Sequence, residues 1–231
     1  MTLQTILKRM RALGDPRNVE GMARYGIRSA KAYGVSLAQL RVIAREIGRD
    51  HALAQRLWAT GIHEARTLAI FVADPQRLTE RQMERWAQDF DNWAICDGCC
   101  IHLFDRTPFA RRKVRAWSRR PEEFVKRAAF ALMAALAVHD KKAPDALFTG
   151  YLRIVSREAG DDRNGVKKAV NWALRQIGKR NLALNPAAIS TAEAIRARGS
   201  RSGRWIAADA LRELRSEAVQ RRLQARNARR P

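Results

Sequence analysis

No stretch of this chain approaches the roughly 18 consecutive apolar residues that crossing a bilayer requires. The start, Met1-Thr2-Leu3-Gln4-Thr5-Ile6, lacks the long apolar segment of a secretory signal. Cysteine is scarce, and its three copies, Cys96, Cys99 and Cys100, fall within five residues of one another. An odd, clustered set builds no disulfide framework and suits a reducing, cytoplasmic setting. With His102 the cysteines have a zinc-like spacing, but side chains at those offsets along one helix cannot all converge on a tetrahedral centre. The expectation is no metal, with the thiols packed on an inward helix face. There is also no P-loop, no GxGxxG after a strand, no HExxH and no serine elbow. The four histidines, His51, His63, His102 and His139, share no motif and are expected to be structural or exposed rather than catalytic bases. No segment alternates polar and apolar residues between turn signals, so no strand is expected.

Acidic residues are the other shortage. Against 23 aspartates and glutamates stand 45 lysines and arginines, a formal charge of +22 on 231 residues. Such an excess repels itself in a compact body unless an anionic partner sits against it. The candidates are nucleic acid, an anionic membrane surface or an acidic protein. A basic amphipathic C-terminal helix could touch lipid, but it does not account for the basic runs elsewhere, so nucleic acid is the expected partner and a membrane is not. Hydrophobic residues make up 46% of the chain, enough for a full core.

Helical periodicity runs almost throughout. Leu3, Ile6, Leu7, Met10 and Leu13 form one stripe, ended by Gly14-Asp15-Pro16. Ser36 reads as the N-cap of a helix closed by Gly48, and Thr79 caps another carrying Met83, Trp86 and Phe90. Helices are also expected around Leu53 and Leu57, over 64–72, 92–104 and 124–138, and from Pro144, Asp161 and Asn185 onward. Residues 206–223 read as one further helix, and 221–231 as a frayed basic tail. Short helices joined by short loops suggest an all-α solenoid of stacked antiparallel pairs, a single domain over 1–220, with an irregular helical bundle as the alternative.

Six tryptophans, Trp58, Trp86, Trp93, Trp117, Trp172 and Trp205, stand out in a chain with few other aromatics. Trp58 and Trp86 are expected in the core. Trp93 has Asp97 four residues later on the same helix face, behind an Asp91-Asn92 cap. An aromatic plate beside a carboxylate suits a cationic ligand or transition state, although by spacing alone an ordinary packed pair is the commoner outcome. Lys168, Trp172, Arg175 and Lys179 recur at three- and four-residue steps along one face of a second helix. That face either contacts phosphates around one aromatic or is a solvated basic surface with an anchoring tryptophan.

The segments Gly21-Met22-Ala23-Arg24-Tyr25, Leu57-Trp58, His63-Glu64-Ala65-Arg66, Trp93-Ala94-Ile95-Cys96-Asp97, Val125-Lys126-Arg127-Ala128-Ala129 and Trp172-Ala173-Leu174-Arg175 occur in this order. Together they resemble the DNA alkylation repair family, the AlkD-like DNA glycosylases built from HEAT-like helical repeats. Ala94 stands where that family usually carries an aspartate. The resemblance implies a curved α-α superhelix that cradles double-stranded DNA, acts as a monomer without a cofactor, and excises N3- and N7-alkylated purines. It implies that Trp93 and Trp172 line a cleft beside the lesion's sugar, with Asp97 as the catalytic carboxylate. Arg127 and Arg175 would hold the DNA backbone, and Tyr25 would lie near the same cleft.

Alkylation at N7 or N3 makes the purine a cationic leaving group, so little acid catalysis is needed. The remaining demand is to stabilise an oxocarbenium-like sugar and place a water, which a carboxylate does by its charge. No lysine stands in the motif as a nucleophile, so no strand-cleaving step is expected. The resemblance further implies action without a deep pocket for a flipped base. Two other classes remain open: a catalytically silent binder of distorted or branched DNA, and a helical scaffold for an acidic protein.

Overall fold

The structure, a computed structural model, describes residues 1–27, 29 and 31–228. Among them are fourteen α-helices, one short 3-10 turn and no strand. They form two compact units, Met1–Ala110 and Arg111–Pro231. No helix is long and apolar enough to cross a membrane among the described residues.

In the N-terminal unit, α1 (Leu3–Ala12) buries Ile6 and Met10, and Thr2 caps it through a hydrogen bond from Thr5 N. Asp15 then caps α2 (Pro16–Arg24), with Pro16 in its first turn. This helix is absent from the sequence reading. In the sequence Asp15-Pro16 reads as a stop, but the same pair starts a helix, because proline's fixed φ and missing N–H suit the first position. Ser36 and Gln39 form a capping box at α3 (Leu37–Ile47), and Gly48, at φ 70°, follows its last residue. Asp50 caps α4 (His51–Ala59), which packs on α5 (His63–Val72). Thr79 and Gln82 form a second capping box at α6 (Glu80–Gln88). α7 (Trp93–His102) packs on α5 and leads into the 3-10 turn Phe104–Arg106. Trp58 and Trp86 lie in the core as expected, stacked with ring centroids 4.0 Å apart and planes 2° apart. The indole N–H of Trp58 donates to Asp89 Oδ2 at 2.8 Å, which satisfies its one polar group.

The second unit is organised around α9 (Glu123–His139), a helix apolar on all sides and buried along most of its length. α8 (Ala110–Trp117) precedes it, another helix absent from the sequence reading, where only Val114 and Trp117 marked an apolar side among basic residues. α11 (Asn164–Gly178) packs against α9, α10 (Asp145–Glu158) against α12 (Leu184–Ala197), and α13 (Arg201–Leu214) against both α11 and α12. Two expectations are corrected at the C-terminal end. The single helix over 206–223 is two, α13 and α14 (Glu217–Ala228), parted at Arg215-Ser216, where Ser216 Oγ bonds the Glu213 carbonyl. The stretch read as a frayed tail is helical as far as Ala228, because Val219 and Leu223 bury one side of it. Residues 229–231 lie outside the described residues.

Candidate functional site

α7 begins where it does because Asn92 is extended and its Oδ1 accepts from Ala94 N at 3.0 Å and Ile95 N at 3.1 Å. Trp93 is thereby the first helical residue, and Asp97 follows one turn later on the same side. That side, with Ala94, Gly98, Ile101 and His102, forms one wall of a cleft of about 670 Å³ in the N-terminal unit. The opposite sides come from Met22 and Tyr25 at the end of α2, Leu37 and Leu40 on α3, and His63, Thr67, Ile70 and Phe71 on α5.

Trp93 is 38% exposed, an unusual position for an indole, and its Nε1 donates to the Tyr25 carbonyl at 2.9 Å. The bond fixes the ring at the rim instead of letting it fold into the core. Tyr25 itself is 77% exposed. Asp97 is half-buried in the wall below. Spacing put Trp93 and Asp97 on one helix face and the family resemblance added Tyr25; all three line this cleft.

Two neighbours were not expected. Glu64, 1% exposed, accepts from Tyr33 N at 2.9 Å and from Gly34 N at 2.7 Å. Asn18 Nδ2 donates to the Gly34 carbonyl at 2.8 Å, so the turn at 33–34 is stitched to α2 on one side and α5 on the other. Gly34 sits at φ 79°, and a Cβ there would meet the Asp15 carbonyl oxygen at 2.1 Å, so only glycine fits. Beside Glu64, His63 faces the cleft. Burial pushes its imidazole below the ordinary histidine range and so favours the neutral ring, although the charges of Glu64 and Asp91 oppose this. The signal that could have found both was present in His63-Glu64-Ala65-Arg66, read only as part of a resemblance.

Behind the wall, Cys96, Cys99 and Cys100 are fully buried and reduced. Burial pushes the Cys99 and Cys100 thiols well above the usual range, and neighbouring thiols add to the effect. No group of three or more His, Cys, Asp or Glu side chains is placed to hold a metal ion among the described residues.

The residues singled out in the C-terminal unit are placed less uniformly. On α11, Lys168 is exposed and Trp172 half-buried. Arg175 and Lys179, expected to reach phosphates, are engaged within the protein: Arg175 Nη1 and Lys179 Nζ each lie 2.6 Å from a Glu213 oxygen. Burial alone would raise the Glu213 carboxyl, but hydrogen bonds from Lys179 and Arg175 outweigh it and hold the group below its ordinary range. Arg127, only 7% exposed, donates to the Gly165 carbonyl at 2.6 Å and so ties α9 to the start of α11. An aromatic not singled out as a site, Trp205 on α13, is 42% exposed with the Lys167 ammonium 5.1 Å from its ring centroid.

A rim-mounted indole, a half-buried carboxylate and apolar walls can hold a cationic centre against a negative charge with little water around it. This arrangement sits in an all-helical fold shared with a solved protein of a new family related to the HEAT-like repeat DNA glycosylases, described as having affinity for branched DNA structures. The two chains are 21% identical, with a TM-score of 0.76 over 84% of this chain and 83% of that one. The class is therefore the HEAT-like repeat fold. The sequence model of the DNA alkylation repair enzyme family matches residues 6–214, and the chain belongs to that family. No curated protein matches the sequence.

Proposed function

We propose that this protein is a monofunctional DNA glycosylase that hydrolyses the N-glycosidic bond of cationic N7- and N3-alkylpurines in double-stranded DNA. The observation that carries the reading is the pairing of Trp93 with Asp97 in one open cleft, the indole held at the rim by its bond to the Tyr25 carbonyl. In this reading the C1′–N9 bond breaks with its electron pair going to the purine, which leaves neutral. The sugar turns positive, facing Asp97 and the Trp93 ring. Water then bonds to C1′, and its proton passes to Asp97 or to solvent. Trp172, Lys168, Arg175 and Lys179 of the C-terminal unit are proposed to contribute to the DNA-facing surface, the last two by exchanging Glu213 for phosphates, whereas the buried Arg127 would act from behind it by holding the start of α11.

The neutral state favoured for His63 agrees with a reaction in which no strong acid is needed, because the lesion's own charge weakens the bond. The test is incubation of the protein with duplex DNA treated with a methylating agent, followed by chromatography of the released bases. Release of 7-methylguanine and 3-methyladenine is expected, and uncharged lesions are expected to stay in place. A second reading, binding of branched DNA without chemistry, is favoured by the description of the solved relative. It requires tight binding to a four-way junction with no base released.

A further inference from the structure

α14 carries Arg222 and Arg226 one turn apart, both exposed and adjoining the face that buries Val219 and Leu223. Both arginines line a pocket of about 310 Å³ whose other walls are Ala137 and Val138 of α9, Gln176 of α11, and Lys141, Lys179 and Arg180. Five of the eight lining residues are cations and none is a carboxylate. We infer that this pocket binds a phosphate group, and that the phosphate is one in the backbone of DNA.

Some of these cations have a structural task and others have none. Arg180 is 8% exposed at its side chain and donates to the carbonyls of Ala137 at 2.9 Å, Asp140 at 2.7 Å and Ala143 at 3.1 Å, which holds the end of α9 in place. Lys179 is taken by Glu213 at 2.6 Å. Arg226 makes one long bond, 3.4 Å, to the Lys179 carbonyl. Lys141 and Arg222 have no carboxylate partner among the described residues. Converging charges of one sign repel unless an anion sits among them. The Lys141 ammonium registers that crowding: burial first, then the charges of Arg226 and Arg180, hold it below the ordinary lysine range. A phosphate, with several acceptor oxygens and no donor requirement, suits three to five N–H donors around a small polar pocket. This site lies wholly within the C-terminal unit and does not depend on whether the cleft of the N-terminal unit excises bases.

The experiment compares the full chain with Lys141→Gln/Arg222→Gln, both exposed positions outside the core, and with Arg221→Gln as a control on the same helix. Arg221 is exposed and pairs with Glu217 at 3.3 Å. Binding of an unmodified 21-mer duplex is followed by fluorescence anisotropy across a salt series. Loss of one phosphate contact should lower the slope of log K against log salt by about 0.9 and weaken binding about 5- to 10-fold near 100 mM salt, with the control unchanged. Melting in inorganic phosphate against chloride at equal ionic strength forms the second arm. Protection of the wild type but not the double variant, with DNA affinity unaffected, would show a pocket for free phosphate and overturn its assignment to the DNA backbone. Equal affinity, equal slope and equal melting for wild type and double variant would overturn the proposal. Single-turnover base release at saturating protein reads the cleft separately, and the double variant should leave it unchanged.

Discussion

Replacing Asp97 by asparagine keeps the shape of the cleft wall and removes one negative charge. At about 4 Å, a carboxylate and a sugar carrying a full positive charge attract by about 4 kcal/mol at an effective dielectric of about 20, but by only about 1 kcal/mol in bulk water. Asp97 is half-buried, and the cleft around it is walled by Leu40, Ile70 and Phe71. A duplex lying over the mouth would exclude further water, so the larger figure applies. Four kcal/mol corresponds to a rate loss of roughly 10³-fold. The ground state contains the same cationic lesion with its charge spread over the purine ring, further from the carboxylate, so affinity should change little. The assay is single-turnover release of 7-methylguanine from a duplex with one lesion, with affinity measured in parallel by anisotropy. A rate within about threefold of wild type would refute the electrostatic role. A matching loss of rate and affinity would show that Asp97 holds DNA instead of stabilising the reaction.

Three further outcomes follow from other contacts. Glu213→Gln should free Lys179 and leave Arg175 only its longer pairing with Asp209 at 3.5 Å, raise DNA affinity and steepen its salt dependence by about 0.9 for each phosphate gained; unchanged binding would show that these cations do not meet DNA. Glu64→Gln should leave one of two buried backbone N–H groups without its acceptor, at a cost of about 2–3 kcal/mol. That corresponds to a melting temperature lower by about 4–12 °C, read by calorimetry. Burial alone would raise Asp161, but hydrogen bonds from Arg163 and Lys126 hold its carboxyl at about 2, so its stabilising contribution is present above about pH 4 and lost as pH falls towards 2. Lys126→Gln should be less stable than wild type at pH 7 and lose less on acidification, the two urea-unfolding curves converging near pH 2; parallel curves would contradict the assignment.

Local chemistry was the legible part of the fold. Ser36 with Gln39 and Thr79 with Gln82 announce their helices because each box is complete within four residues. α2 escaped because Asp15-Pro16 serves equally as an end and a beginning, and α8 because a short basic helix with two large apolar side chains shows little periodicity. The break between α13 and α14 has neither glycine nor proline to mark it. The same division holds for the site. Trp93 and Asp97 are one helical turn apart, so spacing alone put them together. Glu64 finds its partners 30 and 31 residues upstream, and Arg175 and Lys179 find Glu213 38 and 34 residues downstream. Nothing short of the tertiary fold announces such contacts.

The three thiols behind Asp97 bear on survival in the conditions where a member of this family works. Reagents that methylate purines also attack sulfur, and they attack the anion far faster than the neutral thiol. With Cys99 and Cys100 sealed from water and resisting loss of their protons, the helix that carries the cleft's carboxylate offers such reagents no ready thiolate. The dense apolar packing of α7 thus acts as chemical shielding, letting the protein persist amid the electrophiles whose products its family repairs.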